Sequence, residues 1–229
     1  VNILTGNYVR WDYDVNELSY SLAANYKFNN NTASYIRHSK GFRAPIEESF
    51  YAAVESGLGN AALEGLNITE VTQTELGFKY SGDHIAVFAN AFYMQLDNIA
   101  YQDIQAGGLA ERKFADVKNL GLELETIFNY GNFDLSFNGT LQNPEYADFE
   151  GSQESNNGNI ARRISNFYFN VRPSYNFTKA FNLYAKYSYF GSKFQDIENT
   201  FEIPSFGVVN AGASYSLDNI RFGLDASNL

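Results

Sequence analysis

The sequence predicts an all-β protein, an antiparallel β-barrel whose strands cross a lipid bilayer. Three observations carry that prediction. The first is a two-residue alternation that returns at least six times. In Val209-Asn210-Ala211-Gly212-Ala213-Ser214-Tyr215-Ser216-Leu217 the odd positions are apolar or aromatic and the even ones polar or small. Leu18, Tyr20, Leu22, Ala24, Tyr26 and Phe28 repeat the pattern, as does Ile220 to Ser227. Successive strand side chains point to opposite faces, so each segment has one apolar and one polar face. The second is that tight turns and long loops take turns along the chain, as in barrels with short periplasmic turns and long extracellular loops. The third is composition. The chain carries 17 Tyr and 20 Phe against four Pro, a bias that suits strands and interfacial aromatic belts. Mean hydropathy is −0.33, and no apolar run of the roughly 20 residues a membrane helix needs is present. A barrel needs only half of each strand to be apolar.

The elements follow in order. The alternating stretch 16–28 is the first strand, closed by the turn formers Asn29-Asn30-Asn31. The second, 32–42, has a mixed pattern and runs into a long loop over 44–67. Strands at 69–80 and 85–104 flank Ser81-Gly82-Asp83, and aromatic residues fall on both faces of the longer one. A loop over 106–117 leads to two clean strands, 118–130 and 133–148, joined by Gly131-Asn132. After a loop over 150–162 come 163–177 and 181–195, joined at Thr178-Lys179. A last loop, 196–205, precedes 207–217, Asp218-Asn219 and a strand from 220 onward. Gly, Asn and Asp tolerate the positive φ that tight hairpin turns demand. The pattern also assigns faces. Leu120, Leu122, Leu124, Phe133, Leu135, Phe137, Phe167, Phe169 and Val171 face lipid. Glu123, Glu125, Asp134, Asn138, Asn170, Arg172, Lys186, Arg221 and Asp225 face the lumen, because a charge on the lipid face costs a few kcal/mol at midplane.

Net charge is −10, from 26 acidic and 16 basic residues, against the basic face of a nucleic-acid binder. Without cysteine there is neither a disulfide framework nor a thiol site. The first residues lack the basic, apolar, small-residue order of a signal peptide. With an alternating run reaching Asn228-Leu229, the expectation is one domain over 1–229, a fragment cut at both ends.

Several segments resemble the TonB-dependent outer-membrane receptors. Ser39-Lys40-Gly41-Phe42-Arg43-Ala44-Pro45 resembles a strand end and loop start of that family. Thr74-Glu75-Leu76-Gly77-Phe78-Lys79-Tyr80 is similar to its E-L-G-x-K-Y strand, and Asn119-Leu120-Gly121-Leu122-Glu123-Leu124-Glu125 to its x-x-G-x-E-x-E strand. Ile203-Pro204-Ser205-Phe206 with Ala213-Ser214-Tyr215 resembles the penultimate hairpin, and Asn228-Leu229 the start of the terminal N-L-F element. Each motif alone is weak, but the five stand in the family's order over nearly the whole chain. One departure is Leu66-Asn67-Ile68-Thr69-Glu70, which lacks the proline of the family's L-x-P-E segment.

The resemblance implies about ten strands of a 22-stranded barrel, with the last strand and the N-terminal plug absent. It implies a monomeric bacterial outer-membrane importer, energised by the TonB complex acting on that plug. A ferric siderophore is the default ligand; haem, cobalamin and glycans are alternatives within the family. Outer-membrane lipid and lipopolysaccharide surround the wall. No cofactor is expected. Two readings outside the family are a small passive barrel, pore or structural, and a soluble all-β carbohydrate-binding module.

Candidate ligand contacts lie in or beside the long loops. Arg43, Arg112, Arg162 and Arg163 offer planar forks suited to anionic ferric chelates. Lipopolysaccharide phosphate contact or pairing with acidic loops is the commoner role of such arginines. Tyr51, Phe114, Tyr146 and Phe149 offer aromatic faces for a ligand vestibule, though a girdle or loop packing is the commoner fate. Glu145, Asp148, Glu150 and Glu154 form an acidic run without the ordered spacing of a calcium loop. His38 and His84 are the only histidines, and no nucleophile motif accompanies them. The chain is therefore read as a non-enzyme.

Overall fold

The computed structural model of the chain describes residues 15–44, 68–104, 110–149 and 151–229. Ten strands form one antiparallel sheet in chain order: β1 (Tyr20–Lys27), β2 (Thr32–Arg43), β3 (Thr69–Ser81), β4 (Ile85–Ile104), β5 (Ala110–Tyr130), β6 (Phe133–Ala147), β7 (Phe167–Asn176), β8 (Phe181–Phe190), β11 (Phe206–Leu217) and β12 (Ile220–Ser227). Between β8 and β11 a small separate ladder pairs β9 (Lys193–Phe194) with β10 (Glu202–Ile203). Every neighbouring pair is antiparallel, a pure meander whose tight turns share one end and whose long loops share the other. Among the described residues no helix is long and apolar enough to cross a membrane.

Register makes the two faces explicit. Ala24, Ile36, Leu76, Ala91, Leu122, Leu141 and Phe167 are successive cross-strand partners through seven strands. One residue along, Asn25, Tyr35, Gly77, Asn90, Glu123, Thr140 and Tyr168 form the matching row on the opposite face. Burial then runs opposite to that of a water-soluble sheet. Leu120 is 63% exposed and Leu122 57%, while Asn90 is 5%, Asn170 7% and Glu75 8%. Such crowding of polar side chains marks the inner face of a curled sheet, and the spread-out apolar side chains mark its outer face. Both sets assigned from the alternation fall on the predicted faces.

The outer apolar band has edges. On β5 it runs from Leu120 through Leu122, Leu124 and Phe128 to Tyr130. Ten residue steps at about 3.3 Å, tilted by about 40°, give a height of about 25 Å, that of a barrel's membrane band. Towards the loops the next outer row is polar: Lys40, Thr72, Gln95 and Lys118 stand side by side. Towards the turns stand Phe28, Tyr80, Tyr130, Tyr175, Phe177 and Tyr215, all exposed. They form one aromatic girdle.

Boundaries differ from expectation where strands continue beyond the bilayer. β5 begins at Ala110 rather than near 118, because β4 offers it a partner as far as Ile104. β7 begins at Phe167 rather than 163, and β8 stops at Phe190, where the β9–β10 ladder takes over. β4 also explains its own poor alternation. The register with β5 slips by one between Leu96 and Ile99, and Asn98 takes a φ of 60°. A one-residue bulge exchanges the faces, so the inward residues are even-numbered before it and odd-numbered after it.

Candidate functional site

The loop end of the wall is built on that bulge. Beyond it, Tyr101 turns inward and packs with Ala115, Val117, Tyr146, Phe149 and Ala161. The Tyr101–Phe149 and Tyr146–Phe149 ring centroids are 4.8 and 5.1 Å apart. The β6–β7 loop contains a short 3-10 helix, Gly151–Asn156. Asparagines hold this loop in place. Asn157 both accepts from the Phe149 amide (2.8 Å) and donates to its carbonyl (3.1 Å). Asn199, in the β8–β11 loop, does the same for Ile160, at 2.7 and 2.9 Å. Asn159 Nδ2 donates to the Ile197 carbonyl at 3.0 Å. The two loops therefore form one docked cap rather than two free excursions.

Asp196 organises the second loop. Its carboxylate accepts from the Thr200 amide (2.9 Å), the Thr200 hydroxyl (2.6 Å) and the Phe201 amide (2.9 Å). These bonds favour the ionised form, led by the Thr200 hydroxyl, and lower its pKa to about 2.

The inner face is a continuous polar lattice. Arg37 Nη2 donates to Glu75 Oε1 at 2.8 Å, and Gln73 donates to the same oxygen at 2.7 Å. Asn90 donates to Glu123 at 3.1 Å, Asn119 to Gln142 at 2.9 Å, and Asn170 to Asn138 at 2.8 Å. Tyr35, Phe92 and Tyr184 lay their rings over Gly77, Gly121 and Gly212, where a Cβ has no room. Glycine at these points lets large side chains lie flat along the wall. The lattice is satisfied except at Arg37 Nε and Asn119 Oδ1, which are buried without a partner among the described residues, and a polar inner face of this kind suits a wall that meets water or polypeptide.

The arginines marked in the sequence lie at the loop end, two on strands and two in a turn. Arg43 closes β2 opposite Thr69 and is exposed. The Arg112 backbone lies on β5 opposite Gln102, inside a strand rather than a loop. Arg162 and Arg163 are exposed in the turn before β7. The Arg163 amide donates to Phe194 O at 2.7 Å, with a φ of 66°, and the Arg162 amide donates to the Tyr146 hydroxyl at 3.4 Å. Arg43, Arg162 and Arg163 form no ion pair with a described residue. Tyr51 lies outside the described residues. Tyr146 and Phe149 are closed into the cap core, and Phe114 is half-buried on β5.

The acidic run is dispersed. Asp148 lies 3.7 Å from Lys118 Nζ, and Glu145 accepts from Asn143 at 2.6 Å. Glu154 is exposed, and Glu150 lies outside the described residues. Among the described residues no group of side chains suits a metal ion. His38 bridges the Tyr20 and Thr74 hydroxyls (3.2 and 2.9 Å), and His84 contacts Asn129 O (3.1 Å) beside a tight turn. The asparagine ties escape a sequence reading. Asn156-Asn157-Gly158-Asn159 signals a turn, but nothing local says which backbone each amide holds.

An antiparallel meander, apolar outside and hydrogen-bonded inside, defines the wall of a transmembrane β-barrel. The chain belongs to the TonB-dependent receptors: the family model described as TonB dependent receptor-like, beta-barrel matches residues 2–229. Solved structures agree on the fold. The siderophore receptor PiuA from Acinetobacter baumannii superposes with a TM-score of 0.71 at 18% identity, over 92% of this chain and 31% of that one. The ferric citrate transporter FecA gives 0.73 at 16% identity, over 91% and 32%. The copper transporter OprC gives 0.69 at 13% identity, over 91% and 32%. The chain thus spans about a third of the length of these structures. No curated protein sequence matches it.

Proposed function

We propose that this chain is part of the barrel wall of an outer-membrane active importer for a scarce ligand, a ferric siderophore by default, energised through TonB. The observation that carries the reading is inverted burial, apolar outside and polar inside, across a chain whose family model spans residues 2–229. Proteins with this wall include receptors named for a siderophore, ferric citrate and copper. Those names share a metal cargo, and the first two share iron.

Within this reading Arg43, Arg112, Arg162 and Arg163, with Tyr51, contribute to the outer ligand surface. The Arg162 and Arg163 guanidinium groups, in the β6–β7 loop and without an ion pair to a described residue, attract an anionic chelate and orient it bidentately. The coupling to TonB is assigned to a plug domain elsewhere in the polypeptide. Replacing both Arg162 and Arg163 by alanine in the intact receptor should weaken ferric-siderophore binding about tenfold, the loss of one or two charge-assisted hydrogen bonds. Fluorescence quenching on titration with the ferric chelate measures it. Unchanged affinity removes the pair from the ligand surface.

A further inference from the structure

At the tight-turn end of the inner face, far from the cap, lies a pocket of about 320 Å³ lined by Arg172, Lys179 and Arg221. Ser174, Ser214 and Ser216 supply hydroxyls to the same pocket, and no carboxylate lines it. The chain as a whole has ten more acidic than basic residues, so three cations without a counter-ion stand out. Both guanidinium groups are held by neutral neighbours. Arg221 Nη2 donates to Ser214 Oγ at 3.0 Å. Arg172 rests over the Tyr184 ring, 4.2 Å from its centroid.

Two inward-facing acids of the neighbouring strands are engaged elsewhere. Asp225 accepts from the Tyr184 hydroxyl, and Asp134 accepts from Asn129 and Asn176. None of the three cations forms an ion pair with a described residue. Each guanidinium has five N–H donors, and at most one is used by the bonds above.

We propose that Arg172, Lys179 and Arg221 form an oxyanion-binding pocket at the turn end of the lumen. Its ligand is a carboxylate or phosphate, held by two guanidinium forks, an ammonium and serine hydroxyls. Two sources share that chemistry: an acidic side chain of a polypeptide segment seated in the lumen, and a free anion. The pocket depends only on the inward facing of β7, β11 and β12 and on the β7–β8 turn that carries Lys179, and stands whichever ligand the outer surface takes.

The test is arginine labelling by phenylglyoxal in the intact receptor in detergent, mapped by mass spectrometry, with free Nα-acetylarginine as the reference. If inorganic phosphate is the kind of ligand taken, Arg172 and Arg221 label readily without it, and phosphate at about four times its Kd slows them about fivefold. If a polypeptide carboxylate fills the pocket, both are protected without phosphate, and about 1 M sodium chloride, which shortens the Debye length to about 3 Å, restores labelling. In either case Arg221→Gln, which keeps a donor for Ser214, abolishes the protection of Arg172. Labelling at the Nα-acetylarginine rate with and without phosphate, or protection that ignores both salt and Arg221→Gln, overturns the proposal.

Discussion

Leu122 and Glu123 are adjacent in sequence and opposite in environment. Leu122 stands among Ala91 and Leu141 on the outer face, and Glu123 accepts from Asn90 on the inner one. Leu122→Arg places a charge inside the apolar band, nearer its loop-side edge, at a cost between the about 0–1 kcal/mol of the band's rim and the about 2–4 kcal/mol of its midplane. It should prevent insertion of the receptor into outer-membrane fractions. Glu123→Gln keeps an acceptor for Asn90 and should insert normally; equal insertion of the two variants refutes the facing. Asp196 gives a pH prediction of the same scale. Its pKa falls from 3.8 to about 2 in the folded loop. A depressed carboxylate stabilises above its unfolded pKa, and that stabilisation is lost as pH falls through the folded one. The β8–β11 loop should therefore loosen between about pH 4 and pH 2. Amide resonances of Thr200 and Phe201 in the detergent-solubilised receptor should move in that window and stay fixed in Asp196→Asn.

At the scale of elements, what the sequence reveals depends on where the determining contacts lie. Side-chain parity is a local property, so the faces of β5, β6, β7, β11 and β12 are readable from single strands. The slip between Leu96 and Ile99 is a property of two strands, and only the β5 partner shows that Tyr101 turns inward. The arginine positions at the loop end were legible from the turn-and-loop rhythm. The partners that fix the loops were not, because Asn199 and Ile160 are 39 residues apart. That tie is testable. Asn199→Ala removes both bonds to Ile160 and places alanine at a φ of 56°. It should undock the cap by about 1–3 kcal/mol, read as faster hydrogen exchange at Ile160 and Ala161. Asn199→Gly, which relieves only the backbone cost, should recover part of that loss. Unaltered exchange in both variants means that the hydrophobic cluster alone holds the cap.

At the scale of the molecule, ten strands form an open sheet, and among the described residues β1 and β12 each pair on one side only. Two free edges and an outward apolar face are strong drives to associate in water. The 229-residue chain expressed alone should aggregate without detergent, as sedimentation can show. A monodisperse monomer in plain buffer contradicts the barrel-wall reading. The outward band is also uneven around the wall. On β5 its apolar and aromatic outer residues reach from Leu120 to Tyr130, whereas on β3 they reach only from Leu76 to Tyr80, and on β2 Ile36 stands between Ser34 and His38. Lipid tails cannot leave an apolar surface wet or a polar one dry without cost, and each ångström of mismatch costs a fraction of a kcal/mol. A bilayer around this wall is therefore expected to be thinnest beside β2 and β3 and to recover its thickness towards β5. The wall tells the bilayer which way it is turned.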